Sequence, residues 1–505
     1  MTRSTSWFFA TSVVAVSLLL FGQTISQESP DKFSTELNTI RSEIIARTDS
    51  KELPSVSVGV VRNGIGVWKE SFGFASIEQN IPATPETVYA VGSLSKSMTG
   101  TAVFKLIEDG RIDPKSPITK YLRSVRLRTF VQPRNDYKVL HLLNMAAGVP
   151  HYWRYCYVDS GELDRCAKAN LKAASFSAFE PGSYHLYSNL SFGLAALMVA
   201  DVSGRPFSRF IRETIFIPGG MNRTFTHRDE IPEAVVIARP YKQDGKPAAD
   251  FQFEPAGGGG FYSSVNDLLR YGLIHLGESS GGEPVLQRRT LDMNHTVNRE
   301  LPHRYYANGW GVLPLRGFGE TLLSNGAIEG AAATLLVLPK EKVVVVVLVN
   351  KTVGNEVTDD LAFRIAGAIL PGYKRQLDGL FADVGPEFAD KEFLGMSTLD
   401  GDWKGSVRVG KRRLPVDLRI RGSEIFIKFD RAEFVKVEKL RIANSTISGT
   451  VTAPLLGKSG SVTAIADLTI RLERDRLTGF VSFETLKPRP ELLLAYYLFA
   501  KRAER

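Results

Sequence analysis

Apolar and polar positions follow two different rhythms along this chain, and the change of rhythm divides it. From Phe33 onward, segments with apolar residues three and four apart are interleaved with short runs of β-branched residues, which predicts helices and strands in one body. Pro54–Val61 and Val67–Phe74 read as strands joined across Asn63-Gly64, a dipeptide suited to a tight hairpin turn. Thr334–Leu338 and Val343–Asn350 form a second pair around Pro339-Lys340-Glu341, followed by helical periodicity over Val357–Ile369. The middle is mostly helical and loop-like. Thr99–Asp109 carries Ala102, Val103, Leu106 and Ile107 at helical spacing before Gly110, and Leu190–Val202 is an apolar helix.

After Leu370-Pro371-Gly372 the rhythm becomes almost wholly that of strands: Leu414–Ile420, Glu424–Phe429, Leu440–Pro454, Ala464–Glu473 and Leu477–Thr485. Short strands at close spacing predict a small closed barrel. Glu491–Ala500 fits either a closing strand or a short amphipathic helix. The expected class is therefore α+β: an antiparallel sheet flanked by helices with a helical insertion, then a C-terminal all-β barrel. The expected division is a leader over 1–26, a main domain over 30–375, a linker over 376–395 with the boundary near Gly385, and a barrel-like domain over 396–505. A cleft is expected where strands from both ends of the main domain meet the insertion.

The N-terminus sharpens the cellular context. Arg3, the apolar run Trp7–Phe21 and small residues up to Ser26 have the form of a signal peptide, which implies a periplasmic or secreted protein. In an oxidising compartment the only two cysteines, Cys156 and Cys166, are expected to close a small loop. The net charge is +9, yet Lys and Arg are scattered among Asp and Glu, which argues against a nucleic-acid partner and allows a weak attraction to anionic cell-wall or membrane surfaces. Seven histidines never pair at metal-ligand spacing, so neither a metal nor an organic cofactor is expected. Oligomeric state is not legible.

Candidate chemistry centres on Val91-Gly92-Ser93-Leu94-Ser95-Lys96. Three residues apart at a helix start, Lys96 can reach back toward the Ser93 hydroxyl and activate it without any histidine. Ser29 and Lys32 repeat the spacing beside a proline just after the leader, where a flexible terminus is the better reading. Downstream, Tyr187 and Asn189 lie two apart ahead of the Leu190–Val202 helix, so a phenol and an amide can face one cleft. Their bland reading is a packed aromatic and a helix cap.

Taken together, Ser93-x-x-Lys96, the Pro181-Gly182 lead-in and Tyr187-x-Asn189 resemble the serine β-lactamase-related family: class C β-lactamases, D-alanyl-D-alanine carboxypeptidases and related esterases. The resemblance spans roughly Phe33 to Ile369. It is supported by Gly110-Arg111-Ile112-Asp113-Pro114, by Gly257–Ser264 with Asp267, read as structural, with Ser264 and Asp267 as a capping box, and by Asn308-Gly309-Trp310-Gly311. Tyr306-Ala307-Asn308 repeats the Tyr-x-Asn spelling but belongs to a Gly-Trp strand. The family's third motif, a strand with Lys or His, a small residue and Gly, falls on Ser324-Asn325-Gly326, so no cation stands there. Asn144-Met145-Ala146-Ala147-Gly148 replaces the usual His-Thr-Ser-Gly run.

The resemblance implies a β-lactamase/transpeptidase-like fold and a hydrolase of small-molecule or peptide substrates carrying an ester, amide or lactam bond. Ser93 would be the nucleophile, Lys96 the base and Tyr187 the proton donor. Asn189, Ser324, Asn325, Gly326 and Ala327 would hold substrate, with the amides of Ser93 and Ala327 around the oxyanion. Ser324 would reach a substrate carboxylate or the Tyr187 phenol. A second reading stays open: a catalytically weak or inactive binding protein of the same fold, recognising a cell-wall fragment, peptide or lipid.

Overall fold

The run Val343–Val349 is buried at every position, which a strand tolerates only when both faces are covered. It lies inside an eight-stranded antiparallel sheet in a computed structural model. The structure describes residues 34–503 except 130–136, 151–155, 158–175, 250, 253–255, 279–282, 302–304, 385–395, 410–411, 444–445, 458–459, 474–475, 486–490 and 493–495. The leader and Cys166, and with it the expected Cys156–Cys166 bridge, fall outside what is described.

In sheet order the strands are Tyr306–Ala307, Trp310–Leu315, Gly319–Ile328, Ala331–Leu338, Val343–Val349, Ser55–Arg62, Ile65–Ser76 and Ile81–Pro82. The N-terminal hairpin thus joins the later strands, with Val56 opposite Val349. Asn63 and Gly64 turn that hairpin with φ of 53° and 75°, the left-handed pair such a two-residue turn requires. One face packs Val344, Val346 and Leu348 with Leu268 and Leu269 of the helix Val265–Leu276. The other packs Val343, Val345 and Val347 with Leu37 and Ile40 of Thr35–Asp49 and Leu361 and Ile365 of Asn355–Ile369.

The segment between the two halves of the sheet forms the helical layer, including Ser95–Glu108 and Asn189–Ser203. Ser264 caps Val265–Leu276 by accepting from the Asp267 amide, but the Asp267 carboxylate turns away to the Arg223 amide (2.6 Å) and Thr224 Oγ1 (2.8 Å), so the expected reciprocal box is only half formed. Tyr373–Val384 is a further helix, so the first part of the expected linker is regular structure. Tyr373 and Leu377 supply its apolar contacts to the sheet.

The C-terminal strands form one antiparallel sheet that runs from Val435–Lys436 through Glu424–Phe429, Arg412–Arg421, Gly401–Val409, Tyr496–Arg502, Arg476–Thr485, Gly460–Glu473 and Thr446–Gly457 to Glu438–Ala443. Its two ends are consecutive in the chain, and the sheet nearly closes on a core of Trp403, Val407, Leu418, Ile427, Leu468 and Leu498. Leu440–Pro454, expected as one strand, is two, divided after Ala443. Among the described residues no helix is long and apolar enough to cross a membrane.

Candidate active site

Ser93 lies in a 3-10 turn, Gly92–Leu94, that leads directly into the helix Ser95–Glu108. The turn is held on several sides. Gly92 has φ of 53°; Ser95 Oγ donates to the Gly92 carbonyl (2.6 Å) and accepts from the Phe261 amide (3.1 Å), while Ser97 Oγ donates to the Leu94 carbonyl (2.9 Å). Such over-determination holds the backbone at Ser93 in one arrangement.

Lys96, one turn on, is 2% exposed and places Nζ 2.9 Å from Ser93 Oγ. Its second partner is the Gly258 carbonyl at 2.5 Å. No carboxylate shifts this amine, and burial holds its pKa well below the usual lysine value. The sequence offered Gly257–Ser264 as structural only. The loop in fact contributes a carbonyl to Lys96 Nζ.

Tyr187 also reaches the serine, its hydroxyl donating to Ser93 Oγ at 2.6 Å, with Lys96 Nζ 4.8 Å from its ring centroid. Although 40% of the residue is exposed, its hydroxyl is turned inward; burial pushes the phenol up to about 12, against the lowering effect of the Ser93 hydrogen bond. The segment before it has no regular structure and is seated by backbone: Leu186 N donates to Met145 O (2.8 Å) and Gly182 N to Ala146 O (2.9 Å). The loop that departs from the family's usual sequence therefore serves through its main chain. Ser188, not Asn189, caps the next helix by accepting from the Ser191 amide. Asn189 Oδ1 is buried without a hydrogen-bond partner among the described residues, an acceptor such as a substrate N–H would satisfy.

On the strand Gly319–Ile328, Gly326 abuts the nucleophile turn. A Cβ built on it would lie 2.2 Å from Val91 O and 2.4 Å from Ser93 N, and one on Gly92 would lie 3.3 Å from Ala327 N. Glycine at both positions lets the Ser93 and Ala327 amides come together. Ser324 and Asn325 behave otherwise than expected. The Ser324 hydroxyl donates to Ser97 Oγ (2.9 Å) beneath the helix start and is 3% exposed. Asn325, on the alternate face of the strand, donates to Asp359 Oδ2 (2.7 Å).

Tyr306 stacks edge-on against His185 with centroids 5.5 Å apart, and burial together with the neighbouring Tyr187 raises its pKa. Asn308 is buried and takes a hydrogen bond from Asn144 Nδ2 at 2.8 Å. This second Tyr-x-Asn pair thus braces the Tyr187 segment from behind.

The family model for Beta-lactamase matches residues 40–369, more than half of the chain. A D-aminopeptidase of Gluconobacter oxydans (strain 621H) is 24% identical over 329 residues, 63% of this chain but only 59% of that protein's length. A Beta-lactamase of Pseudomonas fluorescens is 25% identical over 316 residues, 60% of this chain and 82% of that protein. The octameric penicillin-binding protein homologue from Pyrococcus abyssi superposes with a TM-score of 0.56 at 20% identity, over 92% of this chain and 99% of that one, a likeness of fold. With its nucleophile turn, buried lysine and inward tyrosine inside the matched region, the chain belongs to the beta-lactamase family of serine hydrolases.

Proposed function

We propose that this protein hydrolyses an ester, amide or lactam bond in two steps through an acyl-enzyme on Ser93. What carries the reading is the convergence of Lys96 Nζ (2.9 Å) and Tyr187 Oη (2.6 Å) on Ser93 Oγ. An uncharged amine turns its lone pair to the Ser93 proton as Oγ attacks the carbonyl carbon. The carbonyl oxygen takes up negative charge between the Ser93 and Ala327 N–H groups. As the bond to the leaving group breaks, the Tyr187 hydroxyl gives it a proton, and the Lys96 ammonium returns one to Tyr187. Water then attacks the acyl carbon and gives a proton to Lys96, and the Lys96 ammonium passes that proton to Ser93 Oγ as the acyl bond breaks, which restores the hydroxyl and the uncharged amine. Asn189 Oδ1 accepts an N–H of the acyl chain.

Ser324 supplies no positive charge, and its hydroxyl is engaged by Ser97. That favours neutral esters and amides over peptides held by a free C-terminal carboxylate. The leader sequence supports action outside the cytoplasm. Incubation with a fluorophosphonate, followed by intact mass, should give one adduct that maps to Ser93 and is absent from Ser93→Ala. A wild-type protein that takes no label and cleaves no acyl ester, D-aminoacyl amide or chromogenic lactam would overturn the proposal.

A further inference from the structure

The barrel reaches the segment that delivers Tyr187. Arg471, on the strand Gly460–Glu473, donates from Nη1 to Ser183 O at 2.8 Å and to Ser183 Oγ at 3.4 Å, and its guanidinium carbon lies 5.8 Å from the Tyr184 ring centroid. The Tyr184 phenol shares a hydrogen bond with Thr446, a buried residue of the neighbouring barrel strand. Phe480 and Tyr497 of the barrel pack in one apolar cluster with Phe176, Phe179 and Leu186. Phe176 meets Tyr497 edge to face at 6.1 Å, and Phe179 meets Tyr184 at 5.5 Å.

These contacts fall on Ser183, Tyr184 and Leu186, the residues just ahead of Tyr187. The segment has no ladder of its own, and its opposite side rests on the Asn144–Ala146 backbone. Tyr187 is 40% exposed although its hydroxyl is turned inward, so the residues that lead into it help to set its aim. We propose that the C-terminal barrel is a working part of the active site, with Arg471 as the positioning residue that clamps Ser183–Leu186 and so points the Tyr187 hydroxyl at Ser93. A charge-assisted hydrogen bond to a main-chain carbonyl suits this task, because it is directional and acts on the backbone. The inference rests on Tyr187 as proton donor, the role given to it above.

A double-mutant cycle in the full-length protein tests it. On an alkyl ester, whose leaving group needs a proton, Arg471→Ala should lower kcat about tenfold with KM within about twofold, since misaiming a donor costs rate more than binding. Arg471→Lys should recover part of the loss, and Thr446→Val should lower kcat in the same sense at an unchanged urea midpoint. In a Tyr187→Phe background, Arg471→Ala should change kcat by less than about twofold, because the residue it positions is gone. Equal losses in both backgrounds, or full kcat in both Arg471→Ala and Thr446→Val, overturn the inference while Ser93 labelling leaves the hydrolase reading intact. A wild-type protein without Ser93 labelling overturns both.

Discussion

Gly326 sits so close to Ser93 that a single added methyl group would lie 2.4 Å from the Ser93 amide nitrogen and 2.2 Å from the carbonyl of Val91. Both neighbours are backbone and cannot rotate away. Gly326→Ala must therefore push the strand from the nucleophile turn and separate the Ser93 and Ala327 amides. Loss of one oxyanion donor costs on the order of a hundredfold or more in kcat, and overpacking costs about 1–3 kcal/mol. Ester hydrolysis and urea unfolding, measured side by side, should show the rate falling much further than the stability.

Lys96 carries the opposite balance. Its pKa is lowered in the folded protein, so between that lowered value and the ordinary 10.5 the unfolded chain binds the extra proton, and stability rises with pH across this window. Below the window the buried amine is a liability at every pH. Lys96→Met keeps the apolar stem and removes that cost, at the expense of the Gly258 contact. The expected outcome is a loss of about a thousandfold in kcat together with a melting temperature at neutral pH equal to or above the wild-type value. A clear fall in melting temperature would show that the amine stabilises the helix start.

What the sequence made legible was local. Ser93, Lys96 and Tyr187 were recognisable because each depends on spacing within a few residues of a helix start, and the Asn63-Gly64 turn because its backbone preference is intrinsic. Long-range partners were not. Ser324 and Asn325 were placed facing substrate, yet their side chains are claimed by Ser97, 227 residues away, and by Asp359, 34 residues on. The expected linker begins at 376, a few residues after the break at Pro371-Gly372, yet residues 376–384 continue the helix Tyr373–Val384, whose apolar face finds the sheet only in three dimensions. The division after Ala443 carries no Gly or Pro, and the two strands read as one.

Asp359 ties the strand bearing Gly326 to the helix Asn355–Ile369, accepting from Asn325 and from Thr334 Oγ1 (2.6 Å). Burial raises its carboxyl to about 6, Glu356 adding to the rise and the two hydrogen bonds opposing it. A folded-state pKa above the ordinary 3.8 means the folded protein holds the proton more tightly. That contribution is complete below about pH 4 and is lost as pH rises through 6. Asp359→Asn has no such loss. Relative to wild type, the variant should gain roughly 1–2 kcal/mol between pH 4 and 7, allowing for the solvent that still reaches this largely buried residue. Parallel urea midpoints for the two proteins across that range would sink the assignment.

His275 and His295 form a buried, acid-sensitive pair. The rings meet at 2.8 Å between His275 Nδ1 and His295 Nε2, both residues buried against Trp310. Thr101 Oγ1 donates to the Ser97 carbonyl at 3.0 Å, so the proton between Thr101 and His275 belongs to His275 Nε2. Then His275 Nδ1 accepts, and His295 Nε2 donates to it. Protonating either ring breaks this order inside an apolar surround. Burial pushes His295 down to about 3, with Arg288 adding to the shift, and pushes His275 well below its usual value, with His295 adding to it. The unfolded chain takes up these protons near pH 6.5, so the stability from both rings is present above 6.5 and falls as pH drops toward 3. The slope should be about 1.4 kcal/mol per pH unit for each ring. The double variant His275→Phe/His295→Leu removes both rings without stranding a ring nitrogen, and Tyr271 still reaches Thr101. Urea unfolding at pH 7, 6 and 5 should show wild type losing stability far more steeply than this variant. Equal slopes would mean that the pair titrates in the folded protein as freely as in the unfolded chain.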